Sequence, residues 1–262
     1  MGATLGHVDV VLVRPRSPGN VGAAARAIAN HGLGRLILVA PPAFDPEQAR
    51  WMAPGAHAVI DHAILARSVE EAVSPHQRVV GTSGRSRRWR WPVRSPWELG
   101  ASVVASPAPT ALLFGPEDFG LSNADLSVCT ELLTLPTAGH DSLNLAQAVT
   151  VTASWMLGAW CQQRDRDAGG SAIDGAATAP TAPPTADAAP VGLRDAVIQD
   201  LMEVLDASGY LRSRSELQVR STLHQLLGRL QPTRSEAGML RGMLKPTRWQ
   251  MGLLAPRDTT ET

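Results

Sequence analysis

Three segments of this 262-residue chain gather residue types that could do chemistry together. The first, Ser17-Pro18-Gly19-Asn20-Val21-Gly22-Ala23-Ala24-Ala25-Arg26, sets small residues around one cation. Pro18 and Gly19 predict a turn and Asn20 a helix cap, so Arg26 should project from the second helical turn. A capped surface helix with a solvated arginine would account for Asn20 alone, but not for so many small residues beside a fixed charge. The second segment, Leu113-Phe114-Gly115-Pro116-Glu117-Asp118-Phe119-Gly120-Leu121, follows an apolar run. Its glycines let backbone approach a ligand, and Glu117 can accept hydrogen bonds from ligand or loop. An ordinary tight turn explains Gly115 and Pro116 and leaves Glu117 and Gly120 without a task. The third segment runs from Leu135 through Ser142, Leu143 and Asn144 to Val149. Asn144 with Gln147 has the form of a capping box, and the helix start it marks offers a polar pocket.

Other chemistries lack their residues. Gly32-Leu33-Gly34 precedes a strand-like run instead of following one and has no third glycine, and no G-x-x-x-x-G-K-[ST] loop exists. Nicotinamide-dependent oxidation and nucleotide hydrolysis lose their usual anchors. His140, Asp141 and Ser142 are adjacent on one loop, where a nucleophile, base and orienter can seldom align. His57, Asp61 and His62 lack metal-ligand spacing and partners, which makes surface polar residues of them and predicts no metal.

The elements that must position the three segments follow an α/β rhythm. VDVVLV, RLILVA, RVVGTS, TALLFG and ELLTLP are short Val/Leu/Ile runs separated by helix-like stretches, which predicts a mainly parallel sheet with helices on both faces. Ligands of such sheets bind beyond the carboxyl ends of the strands, so the loops after Val13, Thr82, Gly115 and Leu135 are where a site belongs. From Ala168 to Pro190 the chain is Ala/Pro/Thr-rich with one large apolar residue, Ile173. That composition predicts a disordered linker between a domain over 1–167 and a second over 191–256. In the second, Leu193, Val197, Leu201 and Leu205, then Leu223, Leu226, Leu227 and Leu230, then Met239, Leu240, Met243 and Leu244 recur at helical spacing, which predicts a small all-helical bundle.

Composition narrows the class. Formal net charge is zero and 44% of residues are hydrophobic, enough for a core. No apolar run approaches the roughly 20 residues of a membrane helix, and the N-terminus lacks the features of a signal peptide. A cytoplasmic protein without membrane contact is expected. Cys129 and Cys161 form no C-x-x-C pair and are expected to be buried free thiols.

In this order the segments read P-x-N-x-G-x-x-x-R-A, F-G-P-E-x-x-G-L and S-L-N-L-A-x-A-V, and together they resemble the SpoU/TrmH class of the SPOUT methyltransferase superfamily. Gly81-Thr82-Ser83-Gly84-Arg85-Ser86-Arg87 followed by Trp91-Pro92, the N-terminal position of the catalytic domain and the tail Leu240-Arg241-Gly242-Met243-Leu244 are most similar to bacterial members that methylate the ribose of nucleotide 32 in the tRNA anticodon loop. The resemblance implies a trefoil-knotted domain, S-adenosyl-L-methionine as cofactor, tRNA as substrate and a homodimer. By motif matching it assigns cofactor binding to Thr82, Ser83, Gly84, Gly115, Glu117, Gly120, Leu135, Asp141, Ser142, Leu143 and Asn144. It assigns catalysis to Asn20, Arg26, Ser142 and Asn144, with Arg26 reaching the partner subunit's cofactor. The chain departs from the class pattern at His140-Asp141, where an aromatic residue or serine is common.

Methyl transfer from a sulfonium needs no metal, only alignment and loss of the ribose proton. A guanidinium is a poor base, so Arg26 is read as binding the target phosphate and stabilising alkoxide charge. Arg85, Arg87, Arg88 and Arg90 surround Trp89, with Trp91 and Arg94 close by, a mixture of cations and stacking surfaces suited to RNA. Tail residues from Arg212 to Arg248 add positive charge. Ribosomal RNA as the substrate, or an RNA-binding SPOUT protein without catalysis, are the alternatives.

Overall fold

The computed structural model describes residues 5–42, 44–84, 91–138, 142–168 and 187–252. Its centre is one sheet of seven strands in the order β3-β2-β1-β6-β4-β7-β5, every neighbouring pair parallel. The strands are β1 (Val8–Val13), β2 (Leu36–Val39), β3 (Ile64–Ala66), β4 (Arg78–Thr82), β5 (Val93–Arg94), β6 (Thr110–Phe114) and β7 (Glu131–Leu133). Helices α1 (Pro18–His31), α2 (Pro46–Trp51), α3 (His57–Asp61), α4 (Val69–Val73), α5 (Pro96–Ala105) and α6 (Asn123–Ser127) connect them, and α7 (Leu145–Asp167) follows β7. The α/β expectation therefore holds, with β3 and β5 added to the five strands read from the sequence.

Strands buried on both faces read as unbroken apolar runs, which is why VDVVLV shows no alternation. Its side chains nevertheless divide. Val8, Val10 and Leu12 enter a core shared with α1, α5 and α7, whereas Val11 and Val13 enter one shared with α4 and α6. Trp91 joins the second core at 8% exposure, so it is packing and not the RNA-stacking surface expected of it. Cys129 is buried as expected, but Cys161 is half-buried.

Helix α1 starts earlier than the sequence reading placed it. Ser17 is the cap, its Oγ accepting from the Asn20 amide at 3.3 Å, and Pro18 occupies the first turn. Proline suits that position because the missing N–H would have no helical partner. The side chain of Asn20 is thereby released for other contacts.

Towards the C-terminus, α8 (Val191–Ala207), α9 (Glu216–Leu230) and α10 (Arg234–Gln250) pack as a helical bundle. Its core uses Val197, Ile198, Met202, Leu227 and Ala237. Leu226, Leu230, Met239 and Met243, expected inside, are exposed. The bundle is not separate from the sheet. Val191 is buried in the second core, its N–H donates to the His76 carbonyl at 2.7 Å, and Arg194 Nη2 donates to the Gln77 carbonyl at 2.7 Å. The start of α8 thus seats on the turn that enters β4.

Candidate active site

The loops at the carboxyl ends of β4, β6 and β7 enclose a cleft of about 330 Å³. Thr82, Ser83 and Gly84 line one side, Gly115 to Leu121 a second, and Leu126, Leu133, Leu135, Thr137, Ser142 and Leu143 are among the rest of the lining. Nine of the eleven expected cofactor residues, from Thr82 to Leu143, fall on this lining. Asn144 stands just behind it, and Asp141, like Arg85, Arg87, Arg88, Trp89 and Arg90, lies outside the described residues.

Two glycines shape the second wall. A Cβ on Gly115 would collide with the Gly120 and Leu121 backbone, so only glycine lets the loop fold back on itself. Gly120 has φ +67°, a conformation that costs an L side chain roughly 1–2 kcal/mol. On the facing side, Thr82 is held by a 2.9 Å hydrogen bond from its hydroxyl to the Leu113 carbonyl.

A chain of hydrogen bonds joins the three segments at the rim. Glu117 Oε1 accepts from Asn20 Nδ2 at 2.8 Å, and the carboxylate also accepts from the backbone N–H groups of Arg16 and Ser17 at 3.1 and 3.3 Å. Asn20 Oδ1 in turn accepts from Asn144 Nδ2 at 3.1 Å. Asn144 Oδ1 caps α7, accepting from the Ala146 and Gln147 amides at 2.9 and 3.3 Å. Each amide side chain has donor and acceptor committed in a consistent direction. Burial raises the Glu117 pKa, but the donors from Asn20 and the backbone outweigh it and hold the carboxylate below its ordinary range.

Arg26 is apart from this chain. It is exposed on α1, lines no part of the cleft in its own chain, and makes no ion pair among the described residues. The expected RNA cation Arg94 is committed elsewhere, with Nε 2.9 Å from Glu131 Oε2. In the tail, Arg241 and Arg248 pair with Asp200, and Arg248 also with Glu203. Two residues near the rim escaped the sequence reading. Arg14 makes a bidentate pair with Asp125 at 3.1 and 2.6 Å, and Arg16 meets Asp118 at 2.5 Å. The pattern R-P-R at the end of an apolar run was their available signal.

This arrangement matches known proteins. The family model of the SpoU rRNA Methylase family covers residues 7–154, the sheet and the three segments together. The chain belongs to this family. Along nearly its whole length it is also similar to a tRNA (cytidine/uridine-2'-O-)-methyltransferase TrmJ of Sodalis glossinidius, 35% identical over 236 residues and 88% of each chain. A solved structure of TrmJ from Z. mobilis ZM4 aligns with a TM-score of 0.75 at 31% identity, covering 91% of this chain and 97% of that one. A probable methylase family protein from Haemophilus influenzae aligns at 0.60 and 28% identity, over 95% and 99%.

Proposed function

We propose that this methyltransferase transfers the methyl group of S-adenosyl-L-methionine to the 2'-hydroxyl of a tRNA ribose, at cytidine or uridine 32 of the anticodon loop. The observation that carries the reading is the Glu117–Asn20–Asn144 hydrogen-bond chain, which fixes all three segments at one cleft. Similarity to tRNA (cytidine/uridine-2'-O-)-methyltransferases extends across both the sheet and the helical tail, which favours tRNA over ribosomal RNA.

The cleft suits the cofactor. Leu121, Leu126, Leu133 and Leu135 provide apolar walls for a purine, while the Thr82, Ser83 and Ser142 hydroxyls offer polar contacts. The side-chain-free edge at Gly115 and Gly120 lets backbone groups reach a ligand. When bound, the cofactor supplies a methyl group already activated by its sulfonium. The protein must then hold the ribose in line and stabilise charge on its oxygen. Asn20, Ser142 and Asn144 orient the reactants at the rim.

Arg26 stabilises the alkoxide and binds the target phosphate at the cleft of a second subunit. Its exposure outside its own cleft supports this homodimer, as do the exposed Val151 and Trp155 on α7, which packs against α1. The expected trefoil knot and a cytoplasmic location belong to the same reading. Incubating the protein with cofactor and unmodified tRNA, then mapping ribose methylation, tests it. Product at nucleotide 32 that disappears when that nucleotide is 2'-deoxy is the expected result; methylation of ribosomal RNA alone would overturn the choice of substrate.

A further inference from the structure

Strands β1 and β2 run in register, Val13 opposite Val39, and end in the same unusual way. The next residue of each, Arg14 and Ala40, takes left-handed backbone, with φ 49° and 41°. Non-glycine residues hold that conformation at a cost and gather where function needs a fixed backbone. Both border a second cleft, of about 680 Å³, with Arg16, Pro42, Pro116 and Phe119. This volume lies in the range that holds a small ligand.

The second cleft sits beyond the ends of β1 and β6, where their connections part to opposite faces of the sheet. β1 leads to α1 on one face, and its neighbour β6 leads to α6 on the other. Loops that part in this way leave a crevice at which parallel sheets bind ligands. The methyl-donor cleft is on the other side of the same wall, because Pro116, Phe119, Gly120 and Leu121 line both.

The lining is suited to one nucleotide of single-stranded RNA. Phe119 is 72% exposed, and its ring face is open for any base to stack on. Arg16 is 59% exposed, and its surface pair with Asp118 is weak enough for a phosphate to replace. Arg14 is held in place by Asp125, which takes two of its five N–H groups and leaves the others for an oxygen at the cleft.

We propose that this cleft binds a nucleotide flanking the methylated one, its base stacked on Phe119 and its phosphate on Arg16. The proposal rests on the RNA-methyltransferase reading and adds a subsite to it. An RNA strand reaching over the wall would place one nucleotide in this cleft and present its neighbour to the methyl donor.

The test uses the full-length protein and anticodon stem-loop RNA, with binding followed by fluorescence anisotropy across salt concentrations and methyl transfer measured in parallel. Arg16→Gln should weaken RNA binding on the order of tenfold and reduce the slope of log affinity against log salt by about 0.7, one single-strand phosphate. Cofactor affinity by calorimetry should stay unchanged. Phe119→Leu should weaken RNA binding by a similar factor, and Phe119→Trp should restore it by keeping the stacking surface. Wild-type affinity and salt slope in Arg16→Gln, or failure of tryptophan to outperform leucine, would overturn the subsite. If the wild type binds the RNA without methylating it, the parent reading fails while the binding comparison still decides the cleft.

Discussion

Asn20 Nδ2 donates to Glu117 Oε1 at 2.8 Å across 97 residues of chain, and this bond makes one site of two distant loops. Glu117 does more here than face the cleft. Its carboxylate collects donors from Arg16, Ser17 and Asn20, so it fixes the strand-to-helix turn on which the rim depends.

Replacement of Glu117 by glutamine keeps the volume but turns one acceptor oxygen into a donor, facing N–H groups that already donate. The expected cost is about 1–3 kcal/mol of stability, with a fall in methyl transfer as Asn20 loses its anchor. Thermal unfolding and turnover measured on the same sample check this. A wild-type melting temperature and rate would remove Glu117 from assembly of the site.

The three segments were legible because their chemistry demands particular residue types: glycine at Gly115 and Gly120, amides at Asn20 and Asn144, and a carboxylate at Glu117. The central strands were legible because burial on both faces makes them continuous apolar runs. Strand β3, with Ile64 and Leu65 exposed, and the two-residue β5 carry too little apolar pattern to read. The cap was misplaced because Ser17 and Asn20 both suit it, and Pro18 decides between them. Trp91 and Arg94 looked like RNA ligands because sequence gives residue type without the direction of the side chain. The exposed Met239 and Met243 show the same limit, since helical spacing marks an apolar stripe but not what covers it.

Arg26→Ala should leave cofactor binding intact and lower methyl transfer at least a hundredfold, roughly 3 kcal/mol in the barrier. Because Arg26 is outside the cleft of its own chain, complementation is informative. Mixed dimers of Arg26→Ala with a cofactor-site variant such as Gly115→Val should recover part of the activity that neither has alone. Near-normal turnover by Arg26→Ala would remove the residue from the mechanism, and absence of recovery in proven mixed dimers would locate it within its own subunit.

Gly115 and Gly120 should fail in different ways. Valine at Gly115 meets the Gly120–Leu121 backbone and should close the methyl-donor cleft, abolishing cofactor binding in calorimetry. Alanine at Gly120 finds space for its Cβ but not its φ of +67°, so it should cost about 1–2 kcal/mol of stability with a smaller loss of affinity. Equal effects on affinity would mean that the loop acts through something other than these two constraints.

Acid stability should report on Asp9, the second residue of β1. Burial raises its pKa, but hydrogen bonds from His76 and Arg35 outweigh that effect and bring it to about 2 from 3.8. A depressed carboxylate stabilises the fold above the unfolded pKa, and the contribution is lost as pH falls through the folded value. On the order of 2 kcal/mol should therefore be present at pH 6 and disappear between about pH 4 and 2. Denaturant titrations of wild type and Asp9→Asn should differ by about this amount at pH 6 and converge near pH 2; a constant difference would assign the effect to packing.

Truncation after Asp167 tests what the helical tail does. Such a chain keeps all seven strands and the three segments, so it should fold and bind S-adenosyl-L-methionine. It should not be as stable as the whole protein. Removing Val191 uncovers part of the second core, worth about 1.5–3 kcal/mol for one buried side chain, and leaves the Gln77 carbonyl without the Arg194 guanidinium. The loss should be concentrated at the start of β4, whose far end carries Thr82, and hydrogen exchange there would detect it. Binding of whole tRNA should weaken and become less salt-sensitive, because Arg212, Arg214, Arg229, Arg234 and Lys245, none of them in an ion pair among the described residues, go with the tail. Full tRNA methylation at physiological salt by the truncated chain would mean that the tail braces the sheet without gripping RNA. An unchanged melting temperature would mean that the contacts of Val191 and Arg194 contribute little to the fold.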